Sequence, residues 1–285
     1  MAVKYAIDNF ITDQCDLFSS SEHSIYVVEN LYNIRPSKPF RTTGVGETSG
    51  ASPEYVCVDL LSAKSPNFCA LFNVNFELGQ SGDMLELQAA DEPCSGQSGA
   101  GDWGSPDYTL DLSGELISDF KNLYGKPSAG TAYEYWRIAM IDAGNSDGYL
   151  EIGDWFLGTL EGFTKAYLQP GRADGPEFYG AFNMTDYGQI WSYHYSEAES
   201  FKLVIQNIGS TEQVNELKLF LQRVRRNNGK FVIVPDDDLK FCYYVYLRNM
   251  SDFGQQLAKG KQSKEEFYAW NLDLRTLTEG VSLIG

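Results

Sequence analysis

Residues able to do chemistry are sparse in this sequence. The only histidines are His23 and His194. A Ser/His/Asp or Cys/His relay must use one of them, and neither has a sequence neighbour that suggests a catalytic partner. His194 alternates with aromatics in Trp191-Ser192-Tyr193-His194-Tyr195, a pattern that puts it on the outer face of a strand. The five cysteines, Cys15, Cys57, Cys69, Cys94 and Cys242, are odd in number and share no CxxC spacing, which argues against a thiolate or imidazole zinc site. Cys57 and Cys69 sit inside apolar, strand-like runs and read as small buried hydrophobes. Cys15 and Cys94 lie in less regular segments, where the sequence leaves their redox state open. No G-x-S-x-G elbow, G-x-x-x-x-G-K-[ST] loop or G-x-G-x-x-G after a strand is present. With 39 acids, some carboxylate pair always falls at glycosidase separation, so that criterion selects nothing. The expectation is a non-enzymatic protein with no catalytic residue, metal ligand or cofactor.

Two acidic stretches fit turns better than cation sites. Counted from Asp142, the third, fifth and twelfth positions of Asp142-Ala143-Gly144-Asn145-Ser146-Asp147-Gly148-Tyr149-Leu150-Glu151 and its continuation are Gly144, Ser146 and Gly153, which cannot supply the EF-hand ligands. Asp236-Asp237-Asp238 follows a proline in a hairpin connection and reads as solvated. The aromatics are the stronger contact candidates. Trp191, Tyr193 and Tyr195 share a strand face, suited to a core, a subunit interface or a sugar ring. Trp103 lies in the glycine-rich run 91–107 and is hard to bury locally. It reads either as a ligand or subunit contact or as an anchor for its loop.

These residues must be positioned by a folded scaffold. The chain has 285 residues, 43% hydrophobic and 21% charged, a composition too apolar for disorder and long enough for one large or two modest domains. Its formal charge of −17 repels phosphate, and the only tight basic cluster is Arg223, Arg225, Arg226 and Lys230. Nucleic acid and anionic membrane surfaces are therefore not expected partners. The first residues lack the apolar core of a signal peptide, and no apolar run reaches the roughly 18 residues that span a bilayer. A cytoplasmic site of synthesis and assembly is expected.

Strand patterns dominate the first part. Residues 55–60, 68–76, 133–141, 149–152 and 154–158 are short, β-branched or aromatic and bounded by turn residues. In 84–89 the alternation puts Leu85, Leu87 and Ala89 on one face and Glu86 and Gln88 on the other. Such strands, without helical periodicity between them, predict an antiparallel sandwich over 1–165. A Gly/Pro-rich passage at 169–176 marks the boundary to a smaller α+β domain over 166–285. There the strand-like segments 187–195, 200–207, 231–234, 241–247 and 266–274 accompany one amphipathic helix near 211–227. Val214, Leu217, Phe220, Leu221 and Val224 form its apolar face, Ser210 or Thr211 its cap, and Asn227-Asn228-Gly229 its left-handed stop.

Several stretches together resemble a known family. Val27 to Gly44, containing Asn30-Leu31 and Pro39-Phe40-Arg41, precedes Tyr55-Val56-Cys57-Val58-Asp59-Leu60-Leu61-Ser62-Ala63-Lys64. This is similar to the opening of discoidin-like, galactose-binding-type jelly rolls. Ala70 to Phe76, Tyr135-Trp136-Arg137-Ile138 and Asp147 to Gly153 resemble the family's later strands. Phe40 stands where the family usually has tryptophan, and Leu61 replaces the glycine of "DLG". Sugar-binding members often hold calcium near the first loop and last strand, at places Asn33 and Asp154 would occupy here, but the acidic first-loop pattern is absent and no metal or sugar site is carried over. A discoidin-like sandwich followed by a helix-bearing β unit also resembles tail-tip and baseplate proteins of tailed phages. That resemblance implies a virion structural protein, assembled in the host cytoplasm into a homo-oligomeric ring with tube, hub or neighbouring ring proteins. The alternative is a carbohydrate-binding module that contacts host surface glycans.

Overall fold

The computed structural model describes residues 3–33, 38–47, 53–93, 103, 105–115, 121–128, 130, 132–163, 166–170, 177–184, 190–198, 200–208, 211–235, 242–247 and 268–277. Side chains in 167–201, 206–214 and 268–271 lie outside that description, as do Asp236 to Asp238. In chain order the strands are β1 (Lys4–Ala6), β2 (Asp16–Ser19), β3 (Phe40–Arg41), β4 (Glu54–Lys64), β5 (Phe68–Phe72), β6 (Met84–Ala90), β7 (Tyr108–Asp111), β8 (Leu123–Gly125), β9 (Tyr133–Ile141), β10 (Glu151–Ile152), β11 (Asp154–Gly158), β12 (Glu161–Gly162), β13 (Ala166–Pro170), β14 (Glu177–Met184), β15 (Ile190–Ala198), β16 (Ser200–Ile208), β17 (Lys230–Val234), β18 (Tyr243–Leu247) and β19 (Tyr268–Thr276). The helix α1 spans Thr211–Arg226. Among the described residues, no helix is long and apolar enough to cross a membrane.

The chain divides into two units, Asp8–Leu160 with Lys240–Cys242, and Met1–Ile7 with Glu161–Leu239 and Tyr243–Gly285. The first is the sandwich. Its larger sheet runs β2-β4-β9-β6-β7 and its smaller β11-β5-β8, all antiparallel. The period of two sorts the larger sheet's residues as the sequence pattern requires. Val56, Val58, Leu60, Leu85, Leu87, Ala89, Trp136, Ile138 and Met140 pack in one buried core with Cys69, Leu71, Leu123, Trp155 and Leu157 of the smaller sheet. β5 ends at Phe72, short of the expected 76, because Asn73 turns the chain with φ of 52° and donates its backbone N–H to Asn122 Oδ1. The strand register places the end of β2, the start of β4, the end of β9 and the start of β6 at one end of the sandwich. The loops 20–26, 42–47, 73–83 and 142–150 therefore gather there.

The second unit is a seven-stranded antiparallel sheet in the order β12-β1-β17-β18-β19-β16-β13. α1 buries Leu217, Phe220, Leu221 and Val224 against Phe231, Ile233, Val245 and Leu272 of that sheet. Asn228 and Gly229 stop the helix in the left-handed region, and the Gly229 N–H returns to the Val224 carbonyl at 2.8 Å. The hairpin β14-β15 forms a separate two-stranded sheet.

The expected first domain began at residue 1, but β1 pairs with β12 and β17 and so belongs to the second unit. Three residues carry no local signal for a partner more than 220 positions away. A small polar clasp ties this strand to its neighbours. Tyr5 donates to Glu161 Oε2 at 3.1 Å, and Arg223 of α1 donates to Glu161 Oε1 at 2.5 Å. The Tyr5 ring packs on Phe163 and Phe220. Burial, then the negative charge of Glu161 and the hydrogen bond to it, raise the Tyr5 pKa above its ordinary 10.0.

Two predictions follow from this arrangement. A fragment starting at residue 166 lacks β1 and β12 and should show no cooperative thermal transition, whereas adding residues 1–7 and 161–165 back through a linker should restore one. The raised Tyr5 pKa means that unfolded chains ionise first as pH climbs, so the stability Tyr5 gives is present below pH 10.0 and is lost above it. In melts from about pH 8 to 11, the advantage of the wild type over Tyr5→Phe should shrink with rising pH.

Candidate functional site

The sequence left Trp103 open between a ligand or subunit contact and an anchor of its loop, and the structure buries it. Trp103 is 6% exposed and packs with Cys57 and Ala90, flanked by Phe18 and Tyr135. The register explains why an apolar ring finds shelter on the sheet's outer face. Cys57, Arg137 and Gln88 stand in one row across β4, β9 and β6. Arg137 is 3% exposed, with its guanidinium carbon 4.3 Å from the Tyr55 ring centre and 4.4 Å from that of Trp103. Its Nε donates to Gln88 Oε1 at 2.6 Å, and Gln88 Nε2 donates to Glu86 at 2.6 Å. Arg137 thus sits mid-sheet. Trp103 serves as an anchor of its loop over a buried cation. Cys57, expected as a plain buried thiol, is disulfide-bonded, while Cys15, Cys69 and Cys242 are free. Cys94 lies outside the described residues. Burial pushes the Cys69 thiol up to about 12, which makes it inert.

A second arginine is held differently, at the loop end of the sandwich. Arg41 lies on β3 directly opposite Glu151 on β10. Its backbone N–H donates to the Tyr26 carbonyl at 3.0 Å, and its carbonyl accepts from the His23 N–H at 2.9 Å. A tight turn, with the Tyr26 N–H on the His23 carbonyl at 3.0 Å, presents both rings beside it. The Arg41 guanidinium carbon is 3.9 Å from the Tyr26 ring centre and 4.6 Å from that of Tyr149. Its Nε donates to Glu151 Oε2 at 2.6 Å. Among the described residues its Nη groups have no hydrogen-bond partner. Partial desolvation lowers the Arg41 pKa, but the hydrogen bond and charge of Glu151 outweigh it and the net shift is upward. The guanidinium is thus a fixed cation with forked donors still available.

The neighbouring loops hold this arrangement. Asn75 Nδ2 donates to the Tyr149 carbonyl and to Asp147 Oδ2, each at 3.0 Å, and Asn75 Oδ1 accepts from the Glu151 N–H at 2.7 Å. Asn145 donates to the Asn75 carbonyl at 2.8 Å and to the buried Asp142 at 3.0 Å, and Asp142 also accepts from the Glu77 N–H at 2.7 Å. Asp142 and its neighbours are therefore turn-forming, as the failed EF-hand register suggested. Thr42 accepts from the Leu150 N–H at 2.9 Å, joining β3 to the turn before β10. Exposed His23, 5.3 Å from Tyr26 between ring centres, and Ile25, 68% exposed, complete the rim. Asn33 and Asp154, the places that calcium would take by resemblance, are half-buried and fully buried. Among the described residues no three His, Cys, Asp or Glu come together as metal ligands.

In the sequence Arg41, Tyr149 and Glu151 stand within strand and turn motifs, and nothing in their spacing marks them as one site. Trp191, Tyr193 and Tyr195 lie on β15, with Trp191 opposite Asn183 and Tyr193 opposite Ala181, and their side chains are outside the described residues.

No protein-family model and no curated protein matches this sequence. Solved structures do match. One is a family 32 carbohydrate-binding module from C. perfringens NanJ in complex with galactose, 13% identical, with a TM-score of 0.37 over 55% of this chain and 99% of that one. Another is a Streptococcus pneumoniae fucose-binding module, 12% identical, with a TM-score of 0.36 over 53% of this chain and 96% of that one. A third is the lectin domain of lectinolysin complexed with Lewis B antigen, 9% identical, with a TM-score of 0.38 over 54% and 98%. Nothing in these matches bears on a virion tail.

The packing of Trp103 sets a stability prediction. Trp103→Ala should destabilise the sandwich by about 2–4 kcal/mol in urea unfolding. Trp103→Phe keeps a ring over Arg137 and removes an indole N–H that has no hydrogen-bond partner among the described residues, so it should cost clearly less.

Proposed function

We propose that this chain is a carbohydrate-binding protein whose sugar site is the Arg41 cluster at the loop end of the sandwich. The observation that carries this reading is the Arg41 guanidinium, fixed between the Tyr26 and Tyr149 rings with its Nη donors unpartnered among the described residues. Sugar recognition needs planar donors that grip adjacent hydroxyl oxygens and apolar or aromatic surface for the C–H faces of the ring. Arg41 supplies the first, and Tyr26, Tyr149, His23 and Ile25 supply the second. Because the guanidinium is already oriented by Glu151 and two rings, little side-chain entropy is lost when a ligand binds.

The mechanism is binding by preorganisation. Asn75 fixes the Tyr149 carbonyl and the Glu151 N–H, and the backbone bonds of Arg41 to His23 and Tyr26 hold the opposite side. A sugar replaces the water on the Nη groups and leaves the Arg41–Glu151 pair intact. A structural role in a phage tail, the reading the sequence favoured, has no residue-level observation behind it. Within a virion the same site would be a host-surface contact.

A glycan array with the purified chain tests the reading. Binding should appear for at least one hexose-terminated glycan, and Arg41→Ala and Tyr149→Ala should each weaken it about tenfold or more while the melting curve stays cooperative. An array with no binding, together with concentration-dependent assembly by light scattering, would favour the structural role.

A further inference from the structure

Glu151 determines more than the pose of Arg41. Its carboxylate lies on the guanidinium at 2.6 Å, so the one permanent cation among the stacked and hydrogen-bonded residues of the cluster is already neutralised. Among the described residues, the other charged groups hydrogen-bonded beside His23 and Tyr149 are acids. Glu22 accepts from the Val28 N–H at 3.2 Å beside His23, and Asp147 accepts from Asn75 at 3.0 Å beside Tyr149. The chain as a whole carries −17. An incoming carboxylate that reached for the Nη groups would meet Glu151 across the same guanidinium, with Glu22 and Asp147 at the rim, and like charges so placed oppose binding. A hydroxyl pair meets no such opposition, because it needs the donors and not the net charge.

Resting on the glycan reading above, we infer that the site selects neutral sugars against sugar acids, and that Glu151 is the specificity-determining residue that imposes this choice. Exclusion by a resident carboxylate is selection through a repulsive element. Replacing Glu151 by Gln keeps an oxygen able to accept from Arg41 Nε and removes the charge, so the orientation of the guanidinium survives while its positive charge becomes available.

The test uses hexoses paired with their own uronates, galactose with galacturonate, glucose with glucuronate and mannose with mannuronate, each measured by titration calorimetry or saturation-transfer NMR. Each pair differs at C6 alone, by a hydroxymethyl group against a carboxylate, so whichever ring is recognised, charge is the variable. The wild type should bind the hexose of its preferred pair about tenfold or more tightly than the uronate. Glu151→Gln should raise the affinity for the uronate relative to that for the hexose about tenfold. Wild-type affinity for the uronate equal to or above that for the hexose overturns the inference while leaving the glycan reading intact, and so does a loss of both ligands together in Glu151→Gln. If Glu151→Gln does not fold, the wild-type ratio still decides, together with Asp147→Asn, which removes a rim charge without touching Arg41 and should raise uronate affinity by a smaller factor. Failure of every hexose and every uronate to bind overturns the glycan reading itself.

Discussion

A guanidinium leaves water only where other groups take over its charge and its N–H donors, and this constraint organises both notable clusters of the sandwich. Arg137 meets it completely. It is buried in mid-sheet between two aromatic rings, with Gln88 on its Nε and Glu86 behind that amide. The ring that closes it, Trp103, comes from a glycine-rich stretch of the sequence and packs over the cation. Arg41 meets the constraint halfway. Two tyrosine rings lie against its guanidinium and Glu151 takes its Nε, while its Nη groups have no hydrogen-bond partner among the described residues. The same chemistry thus yields a structural anchor in one place and a preformed donor set in the other.

The positions of the two arginines follow from the sheet. Arg137 lies in the middle of the long strand β9, where neighbours on both sides supply partners in register. Arg41 lies on a strand of two residues whose sheet partner among the described residues is β10, at the end where four loops meet. Short strands there give the backbone order that a loop alone would lack, and Asn75, Asn145 and Asp142 extend that order through side-chain bonds to main-chain groups. Such a site is rigid without being covered, which suits recognition of a ligand that must come and go.

The parts of the fold that were legible in the sequence are those whose signal is local. Alternation in β6 set its two faces, and the spacing of Leu217, Phe220, Leu221 and Val224 with the Asn228-Gly229 stop marked the helix to within one residue of its observed end. What was hidden is non-local or too short for a period. β1 has three residues and joins partners at the far end of the chain, while β3 and β10 have two each. The candidate site draws on positions 23, 26, 41, 149 and 151, which no spacing rule connects. Trp103 stayed open between contact and anchor because burial of such a residue depends on partners distant in sequence, and the Arg137 row is invisible until the strands are in register. Cys57 misled for a related reason, since an apolar strand context predicts burial, which it has, and says nothing of whether the sulfur is bonded.

The central claim is that a sugar sits on the open edge of Arg41. The most direct measurement is side-chain NMR of the isotopically labelled chain during titration with the hexose it prefers, read at the arginine Nε–Hε and the tyrosine ring signals. The account predicts saturable shifts at Arg41, Tyr26 and Tyr149 with the Arg137 and Trp103 signals unmoved. Shifts centred on Trp103 or on the β14-β15 hairpin, with Arg41 silent, would contradict it.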